Sequence, residues 1–350
     1  MAKDLMLVGS IPLDTVSDVF EKFGKPLGDH LSTIPDGEPG PRKHWISRVH
    51  YQVLAGNPDL EIVRRPALED GVERLNPRNS GDSWLFKVKD GVEKVRFGDP
   101  GWRLGFARDA INSYFVFKTM REKGQLPNHL RFQVSIPSVN STLPPRIFPS
   151  PEDIAKVRPG YQEALVAEVA KIVGKIPNED LAIQWDCATE VQDAYGAIQG
   201  FPKDTAIARN VGQITALSKQ VPETAMLGFH LCFGTLGGWP RFAPDDLSGA
   251  VELGNAFIEA AGRRVDWIHI PVLGDADEKF FAPLKNLKPK GARVYLGMVH
   301  HMDTLPKRIA AAKKYLPDFG LAAYCGFGRV SQSEMPVVLE DHLQALKMAG

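Results

Sequence analysis

Seven short apolar runs, at residues 5–8, 130–136, 181–186, 225–233, 265–272, 293–300 and 321–324, each close on a polar or glycine-bearing loop. Their length and their flanking loops mark them as β-strands. Between them, residues 151–173, 205–220, 245–261 and 305–315 carry apolar side chains at helical spacing, the stripe of helices that bury one face. Strand followed by helix, repeated, predicts βα units with a parallel sheet. Eight such units close a (β/α)8 TIM barrel. Seven strands are visible, and the eighth is expected between residues 45 and 110, where 84–88 and 92–97 read as a hairpin around Lys89-Asp90-Gly91. Residues 29–101 are rich in Pro, Gly and charge without a clear period, and read as an elaborated loop over the C-terminal mouth. Residues 1–350 therefore read as one barrel domain with no internal repeat or interdomain linker. The competing architecture is a doubly wound open sheet, which would show a glycine-rich phosphate loop after its first strand. Gly9-Ser10-Ile11-Pro12 stands there instead, and its proline removes a backbone donor.

Composition narrows the function classes. With 42 basic and 42 acidic side chains the chain lacks the basic excess that offsets nucleic-acid phosphates, so small-molecule partners are expected. No window approaches the roughly 20 apolar residues of a membrane span. The start of the chain, Met1-Ala2-Lys3-Asp4 and a short apolar run to Val8, does not read as a signal peptide. Three cysteines make no disulfide framework, and a cytoplasmic location with free thiols is expected.

In a parallel barrel, chemistry sits at the C-terminal strand ends. There the sequence places Gly9-Ser10, the stiff turn Asp36-Gly37-Glu38-Pro39, Asp186-Cys187, His230-Leu231-Cys232, and Cys325 at the head of Gly326-Phe327-Gly328-Arg329. His230 and Cys232 stand two apart on a strand and so point to one side. Two soft thiolates and an imidazole suit zinc better than magnesium or calcium. Taken singly, each feature has a plainer reading: a buried core cysteine, a solvent-facing turn, an aspartate capping the next helix. Together, in one register relative to strand ends, they predict a polar pocket around a thiolate-ligated metal.

In that order these motifs resemble the catalytic C-terminal barrel of cobalamin-independent methionine synthase, within the uroporphyrinogen decarboxylase/methionine synthase-like superfamily. The resemblance runs from residue 5 to about residue 345. It implies a cobalamin-independent methyltransferase, with zinc on His230, Cys232 and Cys325. It also implies an amino-acid thiol held by the Gly9-Ser10 backbone and by Glu38 and Asp186, which receive its ammonium. The thiol acceptor and a methyl donor are the expected small-molecule partners.

Two departures from the family pattern stand out. Where the family places a glutamate as fourth zinc ligand, at the end of the strand at 265–272, this chain has Pro271, and His269 two residues earlier is the candidate replacement, with Cys187 or water as alternatives. The folate-stacking tryptophan expected after residue 136 is replaced by Pro137-Ser138-Val139-Asn140-Ser141, which argues against folate as donor. Gly297-Met298-Val299-His300-His301 ends another strand, and one of His300 and His301 should point inward as a general acid. Asp186, His300 and His301 are thus the candidate catalytic residues, and Arg329 a candidate for a substrate anion. The alternative function is a lyase or decarboxylase of the same barrel superfamily acting on a small carboxylated, possibly aromatic, substrate.

Overall fold

The structure is a computed structural model and describes residues 4–98 and 103–349. Residues 1–3, part of the amino-terminal stretch read above, and 99–101, the end of the expected mouth loop, lie outside the described residues. Among the described residues ten strands form: β1 (Leu5–Met6), β2 (Thr33–Pro35), β3 (Leu60–Arg64), β4 (Leu85–Val88), β5 (Arg131–Pro137), β6 (Leu181–Cys187), β7 (Met226–Leu231), β8 (Trp267–Pro271), β9 (Arg293–Gly297) and β10 (Gly320–Ala322). Eight make one parallel sheet in the order β1-β10-β9-β8-β7-β6-β5-β2. A parallel bridge between Leu5 and Leu31 joins its two edges. The sheet is thus a nearly closed (β/α)8 TIM barrel.

The eighth strand is β2, and it lies outside the 45–110 region in which it was expected. Three residues ending in proline cannot display a period of two, and Pro35 is tolerated because it ends a strand at the weakly joined seam. The expected hairpin is also different. β4 pairs antiparallel with β3, whereas residues 92–97 form no strand. Val95 N–H instead donates to the Lys156 carbonyl at 3.0 Å, tying this segment to the helix Pro151–Lys175. Gly160 permits that contact, because a Cβ there would lie 2.0 Å from the Val95 oxygen.

Strand alternation divides the core in two. Met6, Val8, Ala182, Trp267, Tyr295 and Ala322 pack inside the barrel. Their neighbours Leu5, Leu7, Ile183, Ile268, Val294 and Leu321 face outward under the helices. Glycines make room for the interior rings: a Cβ on Gly228 would lie 1.9 Å from the Trp267 indole, and one on Gly320 would lie 2.5 Å from the Tyr295 ring. The four expected helices appear as Pro151–Lys175, Ala206–Ser218, Ser248–Ala260 and Leu305–Lys313. Pro151–Lys175 starts with proline in its first turn and Ser150 accepting from Asp153 N–H at 3.3 Å. Phe106–Glu122 was not legible as a stripe, because Phe115 is 72% exposed while Ser113 is buried against Asp36. Among the described residues no helix is long and apolar enough to cross a membrane.

Candidate metal centre and substrate cleft

β7 carries His230 on its inward face, and the Cys232 N–H bond to the Cys187 carbonyl at 3.0 Å extends the ladder one residue further. His230 and Cys232 consequently point the same way. Cys325 reaches them from the loop after β10. Its sulfur lies 3.3 Å from that of Cys232 and 3.5 Å from His230 Nε2. The three ligand atoms all fall within 4.8 Å of one another, and all three cysteines of the chain are free thiols.

A hydrogen-bond relay decides which nitrogen of His230 is available. His269 Nε2 lies 2.9 Å from the Ala323 carbonyl, which can only accept, so this nitrogen carries the proton. Burial holds His269 neutral, with its pKa lowered to about 4, so Nδ1 must be an acceptor. Nδ1 sits 2.7 Å from His230 Nδ1, which therefore donates. His230 is also kept neutral by burial. Its Nε2 lone pair is thus left facing the two sulfurs, in the tautomer that ligates a metal.

This corrects the expectation for His269. Both its ring nitrogens are engaged, and it stands behind His230 rather than in the ligand group. Cys187, the other alternative, lies outside the group, with its sulfur 3.9 Å from the Trp185 carbonyl. Among the described residues three side chains form the group, which leaves room for a fourth ligand from solvent or substrate. The shared hydrogen bond with Cys232, and then burial, raise the Cys325 thiol well above its ordinary range.

The Cys325 loop is docked on the Gly9-Ser10 turn. Phe327 N–H donates to the Ser10 carbonyl at 2.7 Å. Gly326 and Gly328 are required for the close approach, since a Cβ would meet Ser10 N at 2.8 Å and the Lys43 carbonyl at 2.0 Å, respectively. The Ser10 hydroxyl in turn donates to Glu38. Glu38 follows β2 in the left-handed region at φ 51°, held by its own N–H donating to Asp36 at 2.9 Å. Burial raises its pKa to about 8. Asp186 at the end of β6 accepts from Gln184 at 2.7 Å, and burial followed by the charge of Glu38 pushes it well above the carboxylate range. The Glu38 charge therefore adds to burial in disfavouring ionisation of Asp186.

His230, Cys232, Cys325, Gly9, Ser10 and Asp186 line one cleft that opens to solvent. Glu38 lies behind Ser10, on a smaller neighbouring cavity. Arg329 also lines the cleft, and it donates to the Thr235 hydroxyl at 2.7 Å. His300 and His301 do not line it. β9 ends at Gly297 rather than continuing to residue 300, and the chain turns tightly, with His300 N–H donating to Met298 at 2.7 Å. His300 is buried edge-on to Tyr324 with Nε2 2.8 Å from the Val272 carbonyl, and burial lowers its pKa to about 4. His301 is exposed. Sequence reasoning missed Lys43, Arg146, Gln192 and Arg241, which line the same cleft. The available signal was charge in proline-marked loops after strands, as in Pro144-Pro145-Arg146 and Trp239-Pro240-Arg241.

No family model and no curated protein sequence matches the chain. Solved structures do. A B12-independent methionine synthase from Shewanella sp. W3-18-1, in complex with selenomethionine, matches with a TM-score of 0.60 at 12% identity, over 100% of this chain and 96% of that one. This chain is built on the methionine-synthase barrel fold. A Listeria monocytogenes protein assigned as a vitamin-B12-independent methionine synthase matches with a TM-score of 0.55 at 16% identity, over 96% of this chain and 86% of the other. The correspondence with these two structures is one of backbone architecture, at 12% and 16% sequence identity.

Proposed function

We propose that the protein is a cobalamin-independent transferase that moves a methyl or alkyl group to a small thiol, with zinc held by His230, Cys232 and Cys325. The observation that carries this reading is the donor set itself: two sulfurs and an imidazole lone pair converge at the mouth of a barrel. The fit to zinc is good. A tetrahedral ion about 2.3 Å from each sulfur would space the two by roughly 3.8 Å, about half an ångström beyond the 3.3 Å separation here. When bound, zinc supplies a Lewis acid that favours the deprotonated form of a substrate thiol near neutral pH.

The chain's own residues position that thiol. Burial favours the neutral forms of Glu38 and Asp186, and an incoming ammonium stabilises their ionised forms. The Gly9-Ser10 backbone faces the cleft and offers N–H groups to a carboxylate. The Ser10 hydroxyl, committed to Glu38, couples this wall to the loop bearing Cys325. His269 holds His230 in register. An amino-acid thiol of the homocysteine type fits these groups. The free thiols suit a reducing compartment such as the cytoplasm.

The test is metal content and activity together. Purified protein should carry about one zinc per chain, and Cys232→Ser should lose both the metal and thiol alkylation. Full activity in metal-free protein would sink the reading.

A further inference from the structure

The lining of the cleft is strongly cationic. Arg146, Arg241, Arg329 and Lys43 all line it, alongside Gln192 and Thr235. Among the described residues none of these four cations forms an ion pair. Arg329 has only the Thr235 hydroxyl at 2.7 Å, and Arg146 Nε is buried with no partner at all. The single carboxylate lining the cleft, Asp186, is engaged by Gln184. Arg146, Arg241 and Arg329 line the same cleft, and burial, followed by the charges of Arg241 and Arg329, lowers the Arg146 pKa to about 9. Arg241 is held in place by its backbone, whose N–H donates to the Gly234 carbonyl at 3.0 Å just beyond Cys232.

Like charges gathered on a partly dehydrated wall repel, and only an anion offsets that cost. Planar guanidinium forks pair with the oxygens of phosphate-like groups two at a time. The ammonium of an amino-acid thiol is already taken by Glu38 and Asp186, and its carboxylate is one carbon from that ammonium. It therefore stays on the same side of the metal group, and the arginine wall is left to the other reactant. We infer that Arg146, Arg241 and Arg329 bind a compact tetrahedral oxyanion, a phosphate, phosphonate or sulfonate, carried by the molecule that donates the alkyl group. This rests on the thiol-transfer reading for the assignment to the donor, but the anion site itself does not.

The test is calorimetric titration of inorganic phosphate, sulfate and tricarballylate into the zinc-loaded full chain at fixed ionic strength. Saturable binding of phosphate or sulfate is expected, weakened about tenfold or more in Arg146→Met, as for loss of a charged hydrogen-bond partner. Arg329→Met, at an exposed position, should weaken it similarly and covers the case in which Arg146→Met does not fold. Tighter phosphate points to a phosphorylated or phosphonate donor, and tighter sulfate to a sulfonate. Absence of saturable binding, preference for tricarballylate, or unchanged affinity in both variants overturns the inference. Repeating the titration with metal-free Cys232→Ser separates the two ideas. Anion binding there should persist; if it vanishes, the anion was held by the metal and the inference fails. Retained zinc chemistry without anion binding leaves the thiol-transfer reading standing alone.

Discussion

His269→Leu is the sharpest test of how the metal group is built. The substitution removes the acceptor 2.7 Å from His230 Nδ1 and the donor 2.9 Å from the Ala323 carbonyl. Leaving the buried His230 N–H unpaired costs about 1–3 kcal/mol. Removing the partner that orients a metal-ligating histidine typically weakens the metal about 10–100-fold, which is roughly 1.4–2.8 kcal/mol. The two magnitudes agree, as they should if one hydrogen bond is responsible for both. Zinc affinity, read by competition with a chromophoric chelator, is expected to fall by that factor in His269→Leu. In His269→Gln it should recover to within about threefold, because the amide oxygen accepts from His230 while the amide N–H₂ donates to Ala323. If the leucine variant binds zinc as tightly as the parent, the relay does not set the tautomer. If leucine and glutamine variants both lose zinc outright, His269 is a ligand after all.

Three further outcomes follow from the same geometry. Glu38, raised to about 8, must release a proton to receive an ammonium, so homocysteine affinity should rise up to about tenfold per pH unit from 6 to 8 and level off above. Calorimetry in buffers of different ionisation enthalpy measures this, and a pH dependence unaltered in Glu38→Gln would refute the assignment. Gly228→Ala places a Cβ 1.9 Å from the Trp267 indole, and this rigid overpacking should cost about 3 kcal/mol or more in urea unfolding; a loss under 1 kcal/mol would mean that the interior yields. His342 is buried with its pKa lowered to about 4 by burial, while the unfolded chain takes the proton near pH 6.5. Its neutral form is thus fully stabilising above about 6.5, and that stability drains as pH falls toward 4, by up to roughly 1.4 kcal/mol per pH unit. His342→Gln should flatten the acid limb of thermal stability relative to the parent, and parallel curves would contradict this.

The places where sequence and structure part company share a cause. The four helices and the strands β5 to β9 are long enough for their pattern to show, whereas β1 and β10, of two and three residues, were read from the slightly longer apolar runs that contain them. β2 is three residues with a proline, so its position is fixed only by the partners that the barrel supplies, Gln133 on one side and the Leu5–Leu31 bridge on the other. His230 and Cys232 were legible because two residues on one strand share a face. His300 and His301 were misplaced because the end of β9 depends on a turn that packs against the loop after β8.

By itself, then, the sequence determined the barrel, the strand ends that carry polar residues, and the pairing of His230 with Cys232, all consequences of local periodicity. Only the tertiary structure decided that Cys325 arrives within 3.5 Å of them, that His269 faces His230 and not the sulfurs, and that arginines from separate loops gather without counter-ions. Those facts depend on how distant segments meet across the mouth. A hydrogen-bond relay or a charged wall has no period along the chain, and it exists only once the ring of strands has closed.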